Sequence, residues 1–92
     1  MRLLQRLRRA IRELNYRVSS HANLEMSEDN LVVEDIENAV LTGRIVRRFT
    51  RDPRGIRCEL VGSTTDGRRA GVVCRFLPSG PLLIITAYVQ ED

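Results

Sequence analysis

Ninety-two residues, 42% of them apolar, suffice for one domain with its own core, so neither a structural metal nor a disulfide framework is needed to fold this chain. The net charge is only +3, yet all fifteen basic side chains are arginine, whose planar fork binds phosphate in a bidentate way that lysine does not match. No stretch reaches the roughly 18–20 apolar residues of a membrane span, Met1–Arg12 lacks the apolar segment of a secretory signal, and two cysteines are too few for a secreted scaffold; the expected location is the cytoplasm, with no membrane partner.

The arginines fall in two blocks. Arg2, Arg6, Arg8, Arg9, Arg12 and Arg17 form one, and Arg44, Arg47, Arg48, Arg51, Arg54 and Arg57 the other, while Val18–Gly43 holds no arginine and six acids. A GC-rich genome favours arginine over lysine everywhere, so the blocks carry more information than the missing lysine.

Leu3, Leu7, Ala10, Ile11, Leu14 and Val18 recur at three- and four-residue steps, which predicts a basic amphipathic helix over residues 1–17. Ser19 and Ser20 offer a cap for a short second helix at His21–Asp29. A third fits Val33–Thr42, with Ile36 and Val40 inward, Glu34, Asp35 and Glu37 near its positive end and Gly43 just past its C-terminus. Strands are then expected at Arg44–Thr50, Ile56–Ser63, Arg69–Leu77 and Leu82–Gln90, separated by Asp52-Pro53-Arg54-Gly55, Thr65-Asp66-Gly67 and Pro78-Ser79-Gly80. Connections this short force antiparallel neighbours. The expected fold is α+β: N-terminal helices packed on a four-stranded antiparallel sheet, with an acidic helical segment at residues 18–43 and a β-meander at 44–90.

Three-residue hairpin loops closed by glycine set the register, with Thr64 opposite Arg68 and Leu77 opposite Pro81. Ile56, Cys58, Leu60 and Gly62 then face Phe76, Cys74, Val72 and Ala70, and Leu82, Ile84, Thr86 and Tyr88 join the same helix-facing side. Cys58 and Cys74 become cross-strand neighbours, expected to be reduced. The opposite face carries Arg57, Glu59, Arg69, Val73, Arg75, Leu83 and Ile85, a mixture that a partner would cover.

Ser20, His21 and Ala22 with Met26, then Glu34-Asp35-Ile36, Gly43-Arg44-Ile45-Val46, Asp52-Pro53-Arg54-Gly55, Asp66-Gly67-Arg68 and Ile84-Ile85-Thr86-Ala87-Tyr88 resemble, in that order, a family of small bacterial domains of unknown function placed near the RelE/ParE (BrnT-like) toxin superfamily. The resemblance covers about Val18 to Val89. It implies a RelE-like toxin fold and an antitoxin partner, with either RNA or the ribosome as target and metal-independent mRNA cleavage with no cofactor, as in RelE-type members, or action on gyrase, as in ParE-type members. Glu25 stands where members often carry arginine, and Gly71 where many carry histidine.

Such cleavage needs a base for the ribose 2′-hydroxyl, cations for the crowded phosphate and an acid for the leaving oxygen. The candidate catalytic residues are His21, the one side chain that titrates near neutrality without help, Arg54 in its fixed turn, and Tyr88, as the resemblance implies. Arg57, Arg69 and Arg75 are the candidate RNA contacts, with Glu59 expected to pair with one of them. The competing reading is a non-catalytic RNA- or protein-binding module of the same fold, and the open face also admits a homodimer. The lone histidine and unspaced cysteines offer no metal site.

Overall fold

In the computed structural model, which describes residues 2–91, the first helix, α1 (Leu3–Arg12), stops before its apolar spacing does. Leu14 takes a left-handed φ of 55°, and the amides of Leu14 and Asn15 close the helix end on the carbonyls of Ile11 and Ala10. Leu14 is consequently 71% exposed instead of sitting in the core, and Tyr16–Val18 runs on as a strand, β1. The helix expected over residues 1–17 is corrected accordingly. Leu7, Ala10 and Ile11 remain its buried face.

After β1 come α2 (Ser20–Glu28), α3 (Val33–Thr42), β2 (Arg44–Phe49), β3 (Arg57–Ser63), β4 (Arg69–Phe76) and β5 (Leu82–Val89). Among the described residues the sheet has five strands in the order β1-β5-β4-β3-β2, and only β1 runs parallel to its neighbour. The fold is thus α+β, three helices on a mostly antiparallel sheet. The meander matches expectation; the fifth strand was hidden in the supposed helix. Gly67 and Gly80 close their hairpins at φ 87° and 117°, as the loop lengths require.

The core lies between the helices and one sheet face. Ala22 and Met26 of α2 and Ile36, Ala39 and Val40 of α3 pack with the α1 residues onto Cys58, Leu60, Ala70, Val72, Cys74, Leu82, Ile84 and Ala87. Each fully buried leucine or isoleucine contributes roughly 1.5–3 kcal/mol. Glycine at position 62 lets α3 lie directly on β3, since a Cβ there would come within 2.8 Å of the Ala39 carbonyl carbon.

The pairing of β5 with β4 is interrupted. Cys74 pairs with Ile84 and Val73 with Thr86, so Ile85 is an extra residue. Side chains alternate with period two, so one inserted residue inverts everything after it. Ala87 therefore points into the core, while Thr86 and Tyr88, expected on the helix side, face outward. The bulge is held from outside: the Ser19 amide donates to the Ile84 carbonyl at 3.0 Å and its hydroxyl to the Ile85 carbonyl at 2.9 Å. That hydroxyl also accepts from the Ala22 amide and caps α2. Beyond β1, α2 covers the edge of β5, with Glu25 accepting from the Ala87 amide and Asp29 from the Val89 amide.

Two arginines serve as braces. Arg8 donates to the carbonyls of Val40 and Gly43 at the end of α3, where orphan acceptors collect. Arg68 grips Asp66 beside it and donates to the carbonyls of Asp29 and Asn30, fastening the β3–β4 turn to the α2–α3 connection. Asp35 is buried at the start of α3, where it accepts from the Val32 amide, the Thr65 amide and the Thr65 hydroxyl. Burial alone raises its pKa. The hydrogen bonds from Thr65 and Val32 outweigh that and hold the carboxyl below its ordinary value.

The sign of that shift predicts the acid behaviour of the fold. A depressed carboxyl pKa gives stability that is complete above about pH 4, the ordinary aspartate value, and is lost as pH falls through the lower folded value. Asp35→Asn, which keeps one acceptor, should lower stability near neutral pH by about 2 kcal/mol and flatten the acid limb. Urea titrations between pH 3 and pH 7 check it; an unchanged midpoint in the variant at neutral pH would show that the carboxylate does not hold the turn.

Candidate nucleic-acid interface

Strand pairing places the outward side chains in rows across the sheet. One row runs Phe49, Arg57, Arg75, Leu83 and Arg17 from β2 to β1. The next holds Arg47, Glu59, Val73 and Thr86, and a third Arg44, Val61, Gly71 and Tyr88. The expected mixture of charge and aliphatic surface is present, ordered by register.

Arg57 and Arg75 are direct cross-strand partners, and like charges in that position destabilise a sheet. Their Nε atoms are both buried and have no hydrogen-bond partner among the described residues. No carboxylate bridges to either among those residues, and Arg57 instead lies over the Phe49 ring at 4.4 Å from its centre. A buried donor without an acceptor costs roughly 1–3 kcal/mol, and the like-charge pairing across the strands adds to that cost.

Glu59 does not serve these arginines, as had been expected. It accepts a short hydrogen bond from the Tyr88 hydroxyl and pairs with Arg47 at 3.8 Å. Tyr88 lies where a side chain at position 71 would otherwise project; a Cβ on Gly71 would fall on its ring. Glycine at position 71 is thus tied to the bulge that turned Tyr88 outward. Burial, then the hydrogen bond and negative charge of Glu59, push the Tyr88 pKa up to about 12, so the phenol is a proton donor at neutral pH and not a base.

The remaining candidates are dispersed. His21 sits on the first turn of α2, 65% exposed, with Nε2 3.2 Å from Glu25, beside the β5 edge. Arg54 is in the β2–β3 loop toward the opposite side of the sheet, up to three strand spacings or roughly 14 Å across it. Its backbone amide and Nε both donate to Asp52, whose carboxyl those bonds hold below the ordinary range. Arg69 shares the open face but lies six residues along β4 from Arg75, roughly 20 Å. His21, Arg54 and Tyr88 therefore do not converge, and of the three expected RNA contacts only Arg57 and Arg75 adjoin.

Sequence reading missed Phe49, Arg47 and the loop cleft beside them. This cleft, of about 520 Å³, is lined by Phe49, Arg48, Arg51, Asp52, Arg54 and Arg57, with Thr50 and Pro53. The alternation of β2 could have placed Phe49 and Arg47 outward, had the irregularity at Val46 been visible. Cys58 and Cys74 are buried neighbours, as expected, with free sulfurs 3.8 Å apart. Contact with Cys58 and then burial hold the Cys74 thiol above its ordinary value, which makes it a poor nucleophile. Among the described residues no three His, Cys, Asp or Glu side chains gather as metal ligands would, and no helix is long and apolar enough to cross a membrane.

The sequence profile of the domain of unknown function DUF4258 matches residues 18–89. No curated protein and no solved structure matches the chain. The link expected to RelE and ParE toxins accordingly has no support from these comparisons.

Tyr88 supplies a direct check on the open face. Alkaline titration followed by tyrosinate absorbance should show a tyrosine ionising near 12, and Glu59→Gln should bring it down by removing the negative charge while keeping an acceptor oxygen. A raised folded pKa means that stability is intact below the ordinary value of about 10 and is lost as pH rises through about 12. An unaltered titration in the variant would place the phenol elsewhere.

Proposed function

This chain belongs to the DUF4258 family, and we propose that it is an RNA-binding module that holds single-stranded RNA by its phosphates on the open sheet face. The observation that supports this most is the Arg57–Arg75 pair, cross-strand neighbours with buried, unpartnered Nε atoms. A phosphate held by the outer nitrogens of the two guanidinium groups would offset their mutual repulsion. Phe49 at one end of the row and Arg17 at the other extend it across the sheet, which suits a flexible strand more than a rigid duplex.

Turnover is the weaker part of the reading. His21 and Arg54 lie at opposite edges, which argues against the expected trio acting as one catalytic site. The observation in favour of a toxin-type nuclease is the Tyr88–Glu59–Arg47 cluster in the rows beside the arginine pair. There Glu59 would take the 2′-hydroxyl proton, the 2′-oxygen would bond to phosphorus as the bond to the 5′-oxygen breaks, the Tyr88 phenol would protonate that leaving oxygen, and Arg47 and Arg57 would hold the phosphate. An antitoxin, in that version, would cover the same face.

The test is fluorescence anisotropy with a short unstructured RNA across a salt series. Log affinity should fall linearly with log salt, and Arg57→Gln with Arg75→Gln should reduce the slope by about 0.7 for each phosphate contact removed. Equal slopes for wild type and double variant would take the pair out of the interface. Incubating the same RNA with wild type and Glu59→Gln separates binding from cleavage: intact RNA throughout removes the nuclease version.

A further inference from the structure

The cleft beside the arginine pair does not resemble a plain phosphate cradle. Four arginines, Arg48, Arg51, Arg54 and Arg57, are among the residues that line it, while its one acidic residue, Asp52, already accepts from the Arg54 amide and Nε. Its apolar wall is Phe49, over whose ring the Arg57 guanidinium lies at 4.4 Å. Its volume, about 520 Å³, lies in the range of small-ligand pockets. Aromatic surface and excess positive charge in one recess match a ligand with a flat ring at one end and a phosphate at the other. Arg57 belongs both to the cleft and to the row, so a phosphate at the Arg57–Arg75 pair leaves its base beside Phe49.

We infer that this cleft is a nucleotide subsite, in which a nucleobase extends the Phe49–Arg57 stack while its phosphate lies against the arginines. For a base within a strand this rests on the RNA-binding reading above; a free nucleoside phosphate offers the same chemistry. The subsite makes recognition depend on an unpaired base, which phosphate contacts alone do not.

Anisotropy on the full chain compares a six-nucleotide RNA with an abasic oligomer of equal length, and calorimetry adds adenosine 5′-monophosphate. The base-bearing RNA should bind roughly ten- to hundredfold more tightly than the abasic strand. Phe49→Leu should erase that ratio while keeping the salt-dependent abasic binding, and Phe49→Tyr, which retains a ring, should restore it. Equal binding of both oligomers to wild type overturns the subsite and leaves the RNA reading standing. Binding of the monophosphate without either oligomer keeps the subsite, identifies a free nucleotide as its ligand and overturns the RNA reading. Binding of none of the three overturns both.

Discussion

The register inversion at Ile85 is the constraint on which the outer face depends. Without it, Tyr88 would compete for the core place that Ala87 occupies, and a phenol would press on α2. With it, the last turn of β5 presents a small residue inward and the tyrosine outward, where Gly71 makes room and Glu59 takes the hydroxyl. The inversion is held by Ser19, which caps α2 with the same hydroxyl that binds the bulge carbonyl. One short side chain thus couples the start of a helix to the composition of the opposite sheet face.

The arginines, uniform in the sequence, divide by what surrounds them. Arg8 and Arg68 are spent on backbone carbonyls at helix ends and brace the scaffold. Arg9 and Arg54, themselves exposed, pair with the nearby carboxylates of Glu13 and Asp52. Arg57 and Arg75 have neither use. Their buried Nε atoms have no acceptor among the described residues, and that, not their number, sets them apart from the other arginines.

The short motifs that carry the family resemblance read mostly as scaffold. The Glu34-Asp35-Ile36 segment contains the carboxylate that receives the Thr65 amide and hydroxyl, and Asp66-Gly67-Arg68 is the turn that reaches back to Asp29 and Asn30. Gly43 follows α3 as its position implied, in an extended and not a left-handed conformation. The outward row built on Phe49, Arg57 and Arg75 lies largely outside those segments. Shared architecture in such a family is compatible with different outer faces.

Period and turn chemistry alone determined much of this protein. Ile36 and Val40 at helical spacing, and Cys58, Leu60, Val72 and Cys74 at strand spacing, identify the core because those periods follow from backbone geometry. Hairpin loops closed by Gly67 and Gly80 set the register of β3, β4 and the start of β5, so the Arg57–Arg75 adjacency was already implicit. Leu14 and Val18 were misleading because apolar residues four apart also suit a chain that leaves a helix and enters a strand. The bulge at Ile85 carries no local signature; it exists because Ser19, sixty-six positions away, supplies its hydrogen bond. The partners of Glu59, the separation of His21 from Arg54 and the cleft around Phe49 came from tertiary structure alone. Each depends on which strands lie side by side, and strand order is a property of the packed sheet, not of any segment within it.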